Sequence, residues 1–162
     1  MPYRIYGGVR FYERLEIKNA LSYAKLAIDN ENDTAFERII NVPSRGIGAK
    51  TMDQIRELAR ENSLSLWSAA EKLSENSGPK VSNALKEFFS AIDKISHIAN
   101  NKEIEEFFEK LLDLSGLKEF HGKEPGEKGR SRVENLEELV SAAAGFFSIG
   151  EDADDERSQL EL

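Results

Sequence analysis

Hydrophobic residues recur at helical spacing along almost the whole chain. In the clearest run they lie three or four positions apart, which places them on one face of a helix; its members are Val81, Leu85, Phe88, Ile92, Ile95 and Ile98. Similar runs occur in residues 11–29, 35–42, 51–62, 65–75, 103–116 and 133–147. The pattern predicts a single all-α domain of about seven helices, with residues 11–29 forming one long helix or two shorter ones.

One short segment has a different pattern. Residues 3–8, YRIYGG, are aromatic and β-branched and are closed by two glycines, which is typical of a strand. The rest of the sequence offers no second strand with which it could pair. We therefore expect an N-terminal strand-like segment that is unpaired in this chain.

Several positions indicate where helices begin and end. Thr51 and Gln54 have the spacing of a capping box, which predicts a helix start at Thr51. Pro79 suits a first helical turn, and Gly116 suits the residue just past a helix end. Residues 121–132, HGKEPGEKGRSR, are rich in glycine and charge, so they predict an exposed loop before the last helix.

The segment PSRGIGAKT, residues 43–51, lies between two helical patterns and permits three interpretations. A Walker-type phosphate loop needs glycines farther apart and a buried strand before them, whereas AFERIINV is amphipathic. A helix-hairpin-helix would let glycine backbone approach a phosphate, with the amides of the second helix pointing at it and with Arg45 and Lys50 beside it. A plain turn between packed helices explains the residues equally well.

Other candidate residues have ordinary explanations beside functional ones. The cluster of Lys128, Arg130 and Arg132 could form a second phosphate contact, but a solvated loop explains its composition as well. Trp67 lies in an amphipathic segment, which favours core packing over base stacking. His97, between Ile95 and Ile98, is expected to be an ordinary exposed or half-buried residue. The acidic segment EDADDE, residues 151–156, lacks the pattern of a calcium loop and predicts a flexible end.

Composition excludes several classes of site. Cysteine is absent and histidine occurs twice, which excludes a disulfide framework and a thiolate or multi-histidine zinc site. No apolar run approaches the roughly 20 residues that cross a bilayer, and the N-terminus lacks the apolar core of a signal peptide. We therefore expect a cytoplasmic protein that contacts no membrane.

The charge is unevenly distributed along the chain. Its net value of -8 opposes binding to nucleic acid, but residues 1–60 carry 10 basic and 8 acidic side chains, whereas residues 61–162 carry 12 and 22. A basic surface near the glycine segment is thus compatible with the acidic total.

Three segments together resemble one protein family. Residues 3–26, YRIYGGVRFYERLEIKNALSYAKL, are similar to the part of UvrD/PcrA/Rep-type superfamily 1 DNA helicases that leads from the second motor domain into its 2B subdomain. The resemblance continues through residues 35–55, the family's glycine hairpin, and returns in GEKGRSRVENLEEL, residues 126–139. Residues 64–115 match chiefly as helices of suitable length. Asn19 stands where the family usually carries aspartate, so a salt bridge of that aspartate is in doubt.

The resemblance implies a fragment of an ATP-dependent 3'–5' helicase of DNA repair or replication. Residues 1–10 would be an edge of the second motor domain, 11–150 the 2B accessory subdomain and 151–162 the flexible end. The implied partners are duplex DNA, bound without sequence preference, the motor domains of the same parent chain, and DNA-repair proteins. The implied DNA-contacting residues are Arg45, Gly46, Ile47, Gly48, Lys50, Thr51, Lys128, Arg130 and Arg132, with Gly126, Glu127 and Gly129 in the second loop.

No catalytic residue, metal or cofactor is expected in this chain. It has no Walker A or Walker B motif, so ATP and Mg²⁺ would belong to the parent helicase. A helical protein-interaction or autoregulatory module with incidental DNA contact is the main alternative, and the acidic second half favours it. A helix-hairpin-helix glycosylase is a third possibility, for which the sequence supplies no convincing catalytic Asp or Lys.

Overall fold

The computed structural model describes residues 9–100 and 104–153, with side chains described for 10–100 and 106–143. Within these residues all regular elements are helices, which confirms the all-α prediction. They are α1 (Val9–Glu13), α2 (Leu15–Ile28), α3 (Asp33–Ile39), α4 (Ala49–Asn62), α5 (Leu66–Asn76), α6 (Pro79–Ala99), α7 (Ile104–Ser115), α8 (Leu117–Gly122) and α9 (Gly126–Ala153). The predicted strand at residues 3–8 lies outside the described part of the chain.

Helix α2 occupies the centre of the domain. Its buried residues recur at helical spacing, and Ile17, Ala20, Tyr23 and Leu26 are all fully enclosed. The helix packs against α1, α3, α6, α7, α8 and α9. Residues from both ends of the described chain therefore share one hydrophobic core.

Helices α4, α5 and α6 pack in series beside this centre. Trp67 on α5 is buried, and its ring centroid lies 4.8 Å from that of Phe89 and 6.1 Å from that of Phe88 on α6. These contacts confirm that Trp67 is a core residue. Within the described residues no helix has the length and apolar character needed to cross a membrane.

The helix ends agree with the sequence at two positions and differ at a third. Pro79 lies in the first turn of α6, and Gly116 follows α7 with a φ of 78° in the left-handed region. The capping-box prediction at Thr51 is wrong, because α4 begins at Ala49 with Gly48 as its N-cap and without a side-chain cap. Thr51 and Gln54 both lie inside the helix, where their spacing has no capping role.

The predicted loop at residues 121–132 is also wrong over most of its length. Helix α8 continues to Gly122, and α9 begins at Gly126, which leaves a short turn between them. A Cβ at Gly129 would overlap the backbone carbonyl of Glu124. Glycine here permits close packing of the first helical turn on the preceding chain, rather than flexibility. At its other end α9 extends to Ala153, into the segment expected to be flexible.

Candidate nucleic-acid interface

The glycine loop, residues 40–48, joins α3 to α4 at the surface. Gly46 has a φ of 80°, in the left-handed region that glycine adopts without strain. Gly48 is extended and forms the N-cap of α4. A Cβ added at either glycine would meet nothing within 4 Å. Bare, exposed backbone is therefore accessible on both sides of Ile47.

Ile47 anchors the loop between its two exposed glycines. Its side chain is only 4% exposed and belongs to the hydrophobic core. The backbone that leads into it is held by Asn41, whose Oδ1 accepts hydrogen bonds from the amides of Arg45 (2.6 Å) and Ile47 (3.2 Å). A buried side chain and one amide oxygen thus fix the shape of the loop.

The N-terminus of α4 opens beside these glycines. The first amides of a helix, here those of Ala49, Lys50 and Thr51, have no partner within the helix, and no side chain caps them. The first turn contains no acidic residue. Unpaired amides and the positive end of the helix dipole make such a position favourable for an anion.

The Arg45 side chain points inward rather than away from the loop. Its Nη1 donates to the carbonyl oxygens of Ile39 (3.2 Å), Ile40 (3.1 Å) and Pro43 (3.2 Å). Its Nη2 donates to the Tyr23 hydroxyl at 2.6 Å, and its Cζ lies 5.0 Å from the centre of the Phe88 ring.

Tyr23 completes this network. Its hydroxyl donates to the carbonyl oxygen of Val42 at 2.6 Å. Burial raises the pKa of Tyr23 above its ordinary value, and the charge and hydrogen bond of Arg45 partly offset this. The hydroxyl therefore stays protonated, and it connects α2 to the loop through both the Val42 carbonyl and the Arg45 guanidinium.

Lys50 is exposed in the first turn of α4 and forms no ion pair with any described residue. The nearby carboxylates of Glu37 and Asp53 are paired with Arg56, whose nitrogens lie 3.1 Å and 2.9 Å from them. The hydrogen bond from Arg56 is the main reason why the pKa of Glu37 is lowered. Arg56 thereby reduces the negative charge beside the loop.

The second predicted cluster lies on the first two turns of α9, and its cations have carboxylate partners. Arg132 is largely buried, with Nη1 3.1 Å from Glu124 Oε2. Arg130 lies 3.3 Å from Glu127, and Lys128 lies 3.9 Å from Glu124. Lys128 and Arg132 also line an open groove of about 690 Å³ together with α3 and Val42. Val42 of the glycine loop therefore shares this groove with two residues of the second cluster.

Comparison with known protein families identifies the family of this chain. A family model, the UvrD-like helicase C-terminal domain, matches residues 1–160. The chain belongs to this family. Its relatives include DNA helicase II of Escherichia coli strain K12, 42% identical over 156 residues that cover 95% of this chain and 22% of that protein. DNA helicase II of Haemophilus influenzae is 42% identical over 149 residues, covering 91% and 20%.

A third relative is the ATP-dependent DNA helicase PcrA of Bacillus subtilis, 34% identical over 153 residues that cover 94% of this chain and 21% of the relative. The UvrD-like chain therefore spans about a fifth of the length of these helicases. Within its described residues, no group of three or more His, Asp or Glu side chains could hold a metal ion.

A buried polar cluster of the UvrD-like domain was missed by the sequence reasoning. Asn19 Nδ2 lies 3.3 Å from Nε2 of His121, whose side chain is 1% exposed. Because an amide nitrogen only donates, the neutral ring accepts at Nε2 and carries its proton on Nδ1. That nitrogen makes no hydrogen bond but faces Glu124 Oε2 at 3.5 Å. Burial is the main cause of the lowered pKa of His121.

The same cluster extends to α9. Asn135 Nδ2 donates to Glu16 Oε2 at 2.7 Å, and Arg132 Nε lies 4.0 Å from Glu16 Oε1. These contacts tie the start of α2 to α8 and α9. Residues 19 and 121 are 102 positions apart, so no local pattern could have indicated their pairing.

Proposed function

We propose that this chain is the 2B accessory subdomain of an ATP-dependent 3'–5' DNA helicase. In this role it contacts the duplex without sequence preference and regulates unwinding by the motor domains of the same parent protein. ATP and Mg²⁺ act in those motor domains. The family and its helicase relatives support the helicase assignment; the role of the subdomain and its DNA contact are the proposal.

The observation that carries the DNA contact is the uncapped N-terminus of α4 behind two exposed glycines. The backbone around Gly46 and Gly48 leaves room for a phosphate, and the α4 amides are the donors. Lys50 adds a positive charge, and Thr51 lies in the same helical turn. Because these groups suit phosphate oxygens rather than base edges, the contact is independent of sequence. The loop thus acts as a helix-hairpin-helix element.

The start of α9 supplies a weaker second contact in this proposal. The side chains of Lys128 and Arg130 are 66% and 68% exposed, so solvent screens their pairs with carboxylates. Arg132 is only 18% exposed and remains in its ion pair. The glycine loop and the N-terminus of α4, in the N-terminal half of the chain, form the principal DNA contact.

Fluorescence anisotropy with two unrelated labelled duplexes, between about 50 and 200 mM salt, tests the proposal. Lys50→Ala should weaken binding equally on both sequences and reduce the slope of log K against log salt by about one. Gly48→Val should weaken binding without changing that slope, because a side chain obstructs the phosphate. Lys86→Ala, which removes an exposed charge from α6, is the matched control.

Equal binding by the parent and by correctly folded Lys50→Ala and Gly48→Val variants would reject the DNA contact. The alternative, a helical protein-interaction or autoregulatory module, would then take its place. The observation that favours this alternative is the excess of acidic residues after position 60, which opposes binding of DNA to that part of the surface. It predicts that a purified partner protein or the motor domains bind these variants and the parent equally.

A further inference from the structure

Arg45 uses its donors inside the protein. The carbonyl oxygens that it holds belong to the end of α3 and to the loop, at Ile39, Ile40 and Pro43. The last carbonyls of a helix have no partner within the helix, and a cation near them is stabilising. The guanidinium thus caps α3 while it fixes the path of the chain into the glycine loop.

Two further contacts restrict the guanidinium itself. The Tyr23 hydroxyl accepts from Nη2 at 2.6 Å, and the Phe88 ring lies 5.0 Å from Cζ. An arginine over an aromatic ring gains a cation–π attraction. Because Tyr23 and Phe88 lie on α2 and α6 in the core, Arg45 connects the loop to two buried residues of the domain.

We propose that Arg45 is a positioning residue of the glycine loop and not a ligand of a DNA phosphate. Its contacts to the end of α3 and to Pro43 keep Asn41 in place to bind the amides of residues 45 and 47. The glycine backbone and the α4 amides then face outward before any ligand arrives. This inference rests on the proposed function and assigns separate tasks to the two cations, since Lys50 supplies the charge that meets the phosphate.

The chemistry requires arginine rather than any cation. A guanidinium carries five donors in a planar fork, whereas an ammonium is a compact charge on a flexible stem. Lysine at position 45 would keep the positive charge but could not hold the same carbonyls and the tyrosine hydroxyl together. A side chain that binds a DNA phosphate does not need to be arginine, since either cation neutralises a phosphate.

Duplex titrations separate the two roles. For a positioning residue, Arg45→Lys loses about tenfold or more in affinity, as Arg45→Ala does, and both keep the parent's salt slope. If Arg45 instead binds a DNA phosphate, the Arg45→Lys variant binds duplex as the parent does, and Arg45→Ala reduces the slope of log K against log salt by about one. The second pattern would overturn the inference. Lys50→Ala, which reduces the slope, shows in the same titration that a loss of one phosphate contact is detectable.

Amide hydrogen exchange measured by NMR without DNA provides an independent test. Arg45→Lys and Tyr23→Phe should both accelerate exchange of the Ile47 amide, which is bonded to Asn41, and leave Ala69 in α5 unchanged. Arg56→Lys is the matched control, because its partners are the exposed carboxylates of Glu37 and Asp53. Unchanged Ile47 exchange in folded Arg45→Lys and Tyr23→Phe would overturn the positioning role. If the parent fails to bind duplex, the proposed function fails, while the exchange result still decides whether Arg45 shapes the loop.

Discussion

The amide nitrogen of Asn19 lies 3.3 Å from Nε2 of His121, and both side chains are buried. This geometry suits a neutral imidazole, which accepts a hydrogen bond that an imidazolium could not accept. Asn19 stands where the resemblance to the helicase family leads one to expect aspartate. A carboxylate would instead favour the protonated ring, so asparagine matches the neutral state that burial favours for His121.

Stability should fall as the pH decreases below about 6.5, the ordinary pKa of histidine. The folded state lowers the pKa of His121, so the unfolded chain binds a proton first. The free energy of unfolding then continues to decrease, by up to about 1.4 kcal/mol per pH unit, until the pH falls below the pKa of His121 in the folded state. Urea unfolding between about pH 7.5 and 5.5 measures it. His121→Gln should remove this part of the pH dependence, and exposed His97→Gln should retain it. The same dependence in both variants would contradict the assignment.

Asn19→Asp should raise the pKa of His121 because a carboxylate would then lie beside the ring. Its buried charge should also reduce the stability at pH values at which the ring is neutral. NMR titration of the histidine ring protons reports the pKa directly, with His97 as an internal reference. An unchanged His121 pKa would show that the two side chains do not interact in solution.

Asn135→Ala should destabilise the domain by about 1–3 kcal/mol, since Glu16 loses the donor at 2.7 Å while it remains almost completely buried. Arg130→Ala, which breaks an exposed ion pair on the same helix, should change the free energy of unfolding by less than about 0.5 kcal/mol. Chemical unfolding of both variants is the measurement. Equal effects would mean that the buried hydrogen bond of Glu16 contributes no more to stability than the exposed ion pair of Arg130 does.

Gly129→Ala should destabilise the domain by about 1–3 kcal/mol, because the added methyl overlaps the Glu124 carbonyl. Helix propensity alone predicts the opposite sign, a gain of about 1 kcal/mol. Gly78→Ala is a control with open space at the Cβ and should have a small effect. Thermal unfolding that shows Gly129→Ala to be more stable than the parent would refute the close packing.

Purified chain should show no ATP turnover, with or without DNA, because the groups that bind nucleotide phosphate and magnesium lie in the motor domains under the proposed function. A coupled phosphate-release assay tests this. Turnover that coelutes with the chain on size-exclusion chromatography and persists after a second purification would contradict the proposal.

The sequence predicted the helical class, the core position of Trp67 and the helix boundaries at Pro79 and Gly116, because each depends on local spacing or backbone chemistry. It was wrong about residues 126–132, where composition suggested a loop. The decisive interaction there is the fit of Gly129 against the Glu124 carbonyl, which a composition pattern does not contain. Helix-start signals at Thr51 were likewise overridden by the loop geometry before Ala49.

The candidate site was predictable in position but not in the orientation of its side chains. The spacing of Gly46 and Gly48 indicated exposed backbone. Nothing local indicated that Arg45 would turn toward Tyr23, which lies 22 positions earlier. The pairing of Asn19 with His121 was equally invisible, because it depends on how α2 and α8 come together.

The central position of α2 has a consequence for synthesis on the ribosome. Residues 15–28 leave the exit tunnel before the helices that cover them, since α6, α7, α8 and α9 all come later in the chain. Until α9 has emerged, Glu16 lacks its partners Asn135 and Arg132, and much of the apolar face of α2 remains exposed to water. The nascent chain must therefore carry an incomplete core until α9 has been translated, and a ribosome stalled before residue 126 would hold a segment suited to capture by a chaperone.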